Sequence, residues 1–207
     1  MKNLKLILIL IIITSCSIKK LTVTPVDSER GDAVFSLIVP DNNYGNSENI
    51  HIYSWTQGGE LNVNRVLIDF NVSKIPSTAI IDSAYLSLYF NPTSVYNKSG
   101  KGNQGQDKIV IQRVLSDWNE KSVTWNNQPE TTTQNQVVID KPESNNADYT
   151  DIDITNIIRD IINNDEGRYG IMLRHQNEKP YNVVFFASSE HPDTEIHPEL
   201  RVYYRKK

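Results

Sequence analysis

Apolar and polar residues alternate along most of this chain, and this alternation limits its fold more than any other feature. In residues 65–72, Val66, Ile68 and Phe70 fall on one side of an extended segment, and residues 80–90 repeat the pattern. Because successive side chains of a strand point to opposite faces, these segments are predicted to be half-buried β-strands. Further strand candidates are residues 33–39, 49–55, 108–114, 137–140, 170–174, 182–186 and 200–204. Short strands at this spacing predict an all-β fold, specifically a jelly-roll β-sandwich.

One segment has helical rather than strand periodicity. Isoleucines recur at positions 154, 157, 158, 161 and 162, which places them on one face of an α-helix. Thr155 can cap the start, and the polar run at residues 163–167 can end it. We therefore predict one short amphipathic helix near residues 154–163 that closes an end of the sandwich.

The N-terminus has the pattern of a secretion signal. Lys2 and Lys5 precede an apolar run at residues 6–13 that is too short to span a bilayer as a helix. The sequence Ile-Thr-Ser before Cys16 looks like a bacterial lipobox, in which the cysteine carries lipid and begins the mature protein. The alternative is an ordinary signal with a chance cysteine. We expect a signal peptide at residues 1–15, lipidation at Cys16, and a bacterial envelope location at the outer membrane or cell surface.

Composition limits the classes of function that remain. The single cysteine sits in the lipobox, so the mature chain has no disulfide framework and no cysteine-based site. The net charge is −4, and removal of two signal lysines makes the remainder more acidic, which argues against a nucleic-acid partner. The length suits a tether at residues 16–30 followed by a single domain at residues 31–207.

Residues 114–129 read VLSDWNEKSVTWNNQP and place two tryptophans in an amide-rich frame. Exposed, such rings could stack on sugars. Buried, they would fasten a loop to the core. We favour the structural role for Trp118 and Trp125, since the strand pattern breaks into a turn at the first of them.

Several separated blocks together resemble a known family. They are Asp41–Gly45, Arg65–Phe70, Ile75–Pro76, Ile81–Leu86, Trp118–Glu120, Val123–Pro129, Ile154–Thr155, Tyr169–Arg174, Phe186–Glu190 and His197–Tyr204. In this order they resemble the DNRLRE-type domain, which is similar to carbohydrate-binding module family 96. The resemblance implies a β-jelly roll that serves as an accessory module on secreted polysaccharide-active or cell-surface proteins. Alginate binding is known in the family.

Candidate ligand-binding residues follow from the chemistry of sugars. Trp55 and Tyr53 precede Gly58 in a predicted strand and turn, where rings could be exposed for stacking. A uronic-acid polymer would also need cations, and arginine binds carboxylates in a bidentate way. The candidates are Arg65, Arg113, Arg174 and the adjacent His175. The alternative is that these arginines form ordinary ion pairs with Asp69, Glu120 or Glu190.

Asp41 and Asn43 could supply oxygen ligands to a structural calcium ion. The alternative, which we favour, is that Asp-Asn-Asn-Tyr-Gly forms a turn.

The four histidines show no metal-ligand spacing on a helix, and no catalytic constellation can be assigned, so an enzyme is not expected. The first hypothesis is a non-catalytic envelope lipoprotein that binds a polysaccharide or cell-surface glycan, such as alginate. The second is a structural or adhesive surface protein that binds a protein partner.

Overall fold

Eleven strands and one α-helix make up the architecture of the residues that the structure describes. The computed structural model describes residues 17–94, 97, 102–141, 143–163 and 167–207. The elements are β1 (Lys19–Val23), β2 (Asp32–Ser36), β3 (Asn49–Gln57), β4 (Glu60–Ile68), β5 (Ile80–Leu88), β6 (Ile109–Val114), β7 (Thr131–Ile139), β8 (Tyr149–Asp153), α1 (Thr155–Asn163), β9 (Ile171–His175), β10 (Asn182–Ala187) and β11 (Glu199–Arg205). Short 3-10 turns lie at Pro25–Asp27 and Thr194–Ile196.

The strands form two antiparallel sheets. The smaller sheet has the order β1-β11-β5-β8, and the larger has the order β10-β3-β4-β9-β6-β7, with β2 also paired to β4. Strands distant in sequence lie side by side in both sheets, as in β1 with β11 and β4 with β9. The expected all-β sandwich is confirmed.

The main core lies between the sheets. Leu86 and Val202 of the small sheet belong to the same buried cluster as Ile52, Val66 and Ile111 of the large sheet. Each of these side chains sits at an alternate position of its strand, so the sequence alternation directly predicts the buried face. Burial of apolar surface at this interface is the main force that holds the sheets together.

The predicted helix is confirmed as α1. Its isoleucines join the main core, and the helix packs on β5, β6 and β7. Asp153 Oδ1 accepts a hydrogen bond from Thr155 N at 2.9 Å, and Thr155 Oγ1 accepts one from Ala84 N at 2.9 Å. These bonds fix the helix start against the small sheet. Most of the polar run expected to end the helix, residues 164–166, lies outside the described residues.

Strand β1 occupies part of the interval predicted to be a tether. Lys19 pairs with Tyr204 and Val23 with Leu200, so this segment is the edge of the small sheet. Its 5 residues, KKLTV, are too few to show the alternation of apolar and polar side chains that predicts a strand. The β11 edge supplies the backbone partners that make it a strand.

A second apolar cluster lies on the opposite face of the large sheet. Phe35, Leu67 and Met172 project from the strands there, and Trp118 and Val123 of the loop between β6 and β7 cover them.

Within the described ranges, no helix has the length and apolar character needed to cross a bilayer.

Candidate functional site

Three aromatic side chains form a continuous row beside β3. Tyr53 and Trp55 are two positions apart, so they share a face of the strand. Their ring centroids are 6.3 Å apart with planes inclined by 26°. Trp55 also meets Tyr181 edge to face, with centroids 5.2 Å apart. Tyr181 is 60% exposed, whereas the other two are partly buried. We call Tyr53, Trp55 and Tyr181 the aromatic row.

Tyr181 is held in an unfavourable backbone conformation. Its φ of +72° lies in the left-handed region, which costs a bulky residue roughly 1–2 kcal/mol. The Asn182 side chain constrains this loop from both sides. Its Nδ2 donates to the carbonyls of Lys179 and Pro180 at 2.8 and 3.3 Å, and its Oδ1 accepts from the N–H groups of residues 106 and 107. The loop therefore holds the exposed ring in place against Trp55.

A groove of about 300 Å³ adjoins the aromatic row. Amides, hydroxyls and rings line it, and Tyr53 belongs to both features. We call it the amide groove. Its lining residues are Ser36, Ile38, Val39, Tyr44, Ser47, His51, Tyr53, Gln57, Asn62 and Asn64.

One buried acceptor that lines the amide groove has no hydrogen-bond partner among the described residues. Asn64 Nδ2 lies 2.7 Å from His51 Nε2, and Asn62 Oδ1 accepts from Ser36 Oγ at 2.8 Å. Burial lowers the pKa of His51 to about 4, so its imidazole is neutral at neutral pH and accepts the Asn64 proton. Asn64 Oδ1 is buried without a hydrogen-bond partner among the described residues. Buried polar atoms are almost always satisfied, so this oxygen needs a partner, and a ligand hydroxyl would reach it only after neighbouring groove side chains move.

A second cleft of about 420 Å³ also includes Tyr181 in its lining. It contains two charged residues, Asp107 and Lys179, which differ in whether other residues of the protein already bind them. The Asp107 carboxylate accepts from Lys108 N and from both nitrogens of Asn177 at 2.8–2.9 Å. Among the described residues, Lys179 has no ion-pair partner. We call this feature the Lys179 cleft.

In the structure, the Arg65 guanidinium is bound by other side chains of the protein. Its Nε and Nη2 donate to the two carboxylate oxygens of Glu178 at 2.7 and 2.9 Å, and its Nη1 donates to Gln128 Oε1 at 2.8 Å. The guanidinium also lies 4.7 Å from the centroid of the Trp125 ring. A ligand carboxylate at Arg65 would have to displace Glu178.

The other three cationic candidates lie in different environments. Arg174 donates to the carbonyls of His175 and Gln176 and to Gln112, so no carboxylate of the described residues neutralises it. Arg113 is 8% exposed and His175 is 1% exposed, and burial lowers the pKa of His175. Arg113 Nε and both ring nitrogens of His175 have no hydrogen-bond partner in the described part of the chain. No described arginine stacks on the aromatic row, so the structure does not bring the predicted cations and rings together.

Asp41 and Asn43 hold the loop at residues 118–127. Asn43 Nδ2 donates to the carbonyls of Glu120 and Val123 at 2.7 Å each, and Asp41 Oδ1 accepts from Asn126 Nδ2 at 2.7 Å. Asn43 Oδ1 also accepts from Gly45 N, as in an Asx turn. Across the ranges that the structure describes, no group of three or more His, Cys, Asp or Glu residues is placed to hold a metal ion. Calcium binding by Asp41 and Asn43 stays a prediction.

Trp118 and Trp125 contact protein groups. Trp118 is 7% exposed, and its Nε1 donates to the Tyr169 carbonyl at 2.8 Å. The Trp125 ring meets Phe35 edge to face at 6.1 Å. The structural role favoured from the sequence is confirmed.

Cys16, the predicted lipidation site, lies outside the described residues.

Sequence reasoning missed a buried carboxyl group near this loop. Desolvation by burial raises the pKa of Asp32 to about 7, and the nearby Glu190 and Glu120 act in the same direction. Asp32 Oδ2 accepts from Ser189 N at 2.8 Å, and Glu120 Oε1 accepts from Asp32 N at 3.2 Å. The first residue of β2 thus joins two loops, which its sequence position could not indicate.

Tyr181 was also missed, because it lies in a loop between predicted strands. Only the positioning of its loop against β3 brings it to Trp55. A Pro-Tyr-Asn sequence at an otherwise polar turn was the available signal, and it is weak.

Comparison with known proteins gives one result. The family model described as carbohydrate-binding module family 96 matches residues 28–204. That range contains β2 to β10, α1 and nearly all of β11, and β1 lies before it. A search of curated proteins finds no match to this chain.

Proposed function

Because this chain belongs to carbohydrate-binding module family 96, we propose that it binds a polysaccharide on the aromatic row and the adjoining amide groove. The observation that supports this most directly is the contact of Trp55 with the exposed Tyr181, in a row whose third ring, Tyr53, lines an amide-rich groove. Rings provide apolar contact area for sugar faces. Amides and hydroxyls provide the directional hydrogen bonds that orient the ligand.

We further propose that the ligand is an acidic polysaccharide such as alginate. The residues that support this are Lys179 and Arg174, whose charges no described carboxylate neutralises. Arg65 is excluded as a primary contact because Glu178 occupies it in a bidentate way. Lys179 and Arg174 therefore replace Arg65 as the proposed charge contacts.

Affinity electrophoresis in alginate gels tests the site. Trp55→Ala and Tyr181→Ala should each weaken retardation by roughly tenfold or more, as expected for removing a central aromatic contact. Lys179→Gln should weaken retardation by alginate but not by a neutral polysaccharide. Tyr203→Ala is the matched control, because this tyrosine pairs with Tyr85 on the other sheet and should leave retardation unchanged.

Two results would redirect this proposal. Retention of full binding in Trp55→Ala and Tyr181→Ala would move the site elsewhere on the domain. If neither acidic nor neutral glycans retard the protein, the structural or adhesive alternative, with a protein partner, is favoured. The family consists of binding modules, and the proposed role includes no catalysis. Release of sugars from a polymer by the purified protein would contradict that part.

We also propose that the domain is anchored to a bacterial envelope membrane through lipid at Cys16. The support is the basic start, the short apolar run and the position of the only cysteine of the chain. Metabolic labelling with a fatty acid should mark the wild type and not Cys16→Ser.

A further inference from the structure

We propose that one end of the small sheet is a membrane-docking surface that binds the anionic headgroups of a lipid bilayer. The inference rests on the proposed anchor at Cys16 and concerns a surface remote in sequence from the aromatic row. Its occupant is a bilayer with phosphate-bearing anionic lipids. We call this end the basic end and define it by residues 18–20, Ile80 and residues 205–207.

Strand pairing brings these residues together. Lys19, the first residue of β1, pairs with Tyr204 near the end of β11. On the other side of β11, Arg205 pairs with Ile80, the first residue of β5. Antiparallel pairing therefore places the start of the domain beside its last strand residues.

The basic end is strongly cationic. Lys19, Lys20, Lys206 and Lys207 are all exposed. Arg205 is engaged by the Asp82 carboxylate, with Nη2 to Oδ1 at 2.7 Å. Since Arg205 already neutralises Asp82, that carboxylate does not offset the lysines. The whole chain is acidic, so this concentration of lysines is a local feature. A group of this size is typical of segments that bind anionic lipid surfaces.

Apolar side chains accompany the lysines. Ile18 is 64% exposed and Ile80 is 44% exposed. Ile80 pairs with Arg205 and Ile18 precedes Lys19, so both isoleucines lie at the basic end. Apolar groups flanked by basic ones suit the boundary between headgroups and acyl chains. A soluble polyanion would use the lysines and leave the isoleucines in water, which favours the bilayer as occupant.

The short linker keeps the basic end near the proposed anchor. Only Ser17 and Ile18 separate Cys16 from β1, so the first strand residue lies at most about 10 Å from the lipid-bearing residue. That distance is close to the Debye length at physiological ionic strength, roughly 8 Å. Lys19 therefore stays about one Debye length from the proposed lipid-bearing residue. Charge attraction then fixes which end of the domain faces the lipid.

Site-specific fluorescence quenching on the lipidated full chain tests this orientation. Because Cys16 is the only cysteine and carries the lipid, one engineered cysteine can be labelled uniquely. Thr78→Cys puts the label in the turn before β5 at the basic end, and Thr133→Cys is the matched control on β7. The proteins are reconstituted into vesicles that carry a headgroup-bound quencher and are made of either phosphatidylglycerol with phosphatidylethanolamine or phosphatidylcholine alone.

We expect the Thr78 label to be quenched at least twofold more in the anionic vesicles than in phosphatidylcholine. One molar NaCl, or replacement of Lys19, Lys20, Lys206 and Lys207 by Gln, should abolish that difference. The Thr133 label should show no difference. Equal quenching of the Thr78 label in all vesicles, or no effect of the lysine replacements, overturns the docking surface while leaving the anchor intact.

Two further outcomes separate this inference from the functions proposed above. Failure of the wild type to float with any vesicle overturns the anchor and the docking surface together. Loss of the anionic-vesicle difference on adding soluble alginate, in a Trp55→Ala background, would identify the basic end as a glycan contact and overturn the lipid assignment. Glycan binding at the aromatic row is tested separately by gel retardation, so its failure has no bearing on the quenching result.

Discussion

At the scale of single residues, several groups are held in unfavourable states. Tyr181 of the candidate site has a left-handed backbone, Asn64 of the amide groove has a buried oxygen without a partner among the described residues, and Asp32, outside the site, is a carboxyl buried at the start of β2. Such states persist when neighbouring contacts outweigh their cost, and they are common at binding sites. The neighbours here are identifiable, above all the Asn182 side chain that holds the Tyr181 loop.

Replacing Tyr181 by glycine should separate backbone strain from ring function. Glycine adopts φ of +72° without penalty, whereas alanine does not. Both variants lose the Trp55 contact and glycan binding, but Tyr181→Gly should be more stable than Tyr181→Ala by about 1 kcal/mol. Urea unfolding measures the difference. Equal stability of the two variants would show that the loop is unstrained.

The raised pKa of Asp32 predicts a pH-dependent stability. Its pKa in the folded protein, about 7, lies above its ordinary value of 3.8, so the fold favours the neutral carboxyl. The stability it contributes is complete below about pH 4 and is lost as the pH rises through 7. Asp32→Asn should therefore gain stability relative to the wild type over this interval, by up to about 1.4 kcal/mol per pH unit.

Urea midpoints of wild type and Asp32→Asn from pH 4 to 8 test this. The comparison cancels His51, whose lowered pKa acts with the opposite sign and removes stability as the pH falls below 6.5. A constant difference between the two proteins across the range would contradict a neutral buried Asp32.

At the scale of elements, the loop after β6 is fastened to the large sheet rather than left open. Trp118 fills the second apolar cluster, and Arg65 ties Gln128 of this loop to Glu178 before β10. The alternation in β4 predicted that Arg65 would leave the main core. Its partner, Glu178, lies 113 positions away in the sequence, so no local sequence pattern could identify it.

Trp118→Ala should therefore cost about 3 kcal/mol or more, because it removes a buried ring and leaves the Tyr169 carbonyl without its donor. Binding to alginate should survive in the folded fraction. Trp55→Ala should show the reverse behaviour, with near-normal unfolding and lost retardation. Thermal unfolding and gel retardation, measured on both variants, decide between the two roles of tryptophan in this chain.

At the scale of the whole molecule, the two sheets divide the functions that we propose. The large sheet carries the aromatic row through β3 and its neighbouring loop, and the small sheet carries the basic end through β1, β5 and β11. A short linker to Cys16 would hold the small sheet at the membrane. The orientation of the glycan site would then follow from the rigid packing of the sandwich rather than from a flexible stalk.

Local patterns in the sequence predicted the helix and most of the strands, because alternation and helical spacing are patterns that burial enforces. They did not predict β1 or β8, and they predicted only the last residues of β7. It also indicated the family through blocks that keep their order. Tertiary contacts make β1 a strand, pair Glu178 with Arg65 and bring Tyr181 into a row with Trp55. These facts depend on residues distant in sequence meeting across a sheet edge or between loops. No local sequence pattern encodes such long-range contacts, because they form only when the whole sandwich packs.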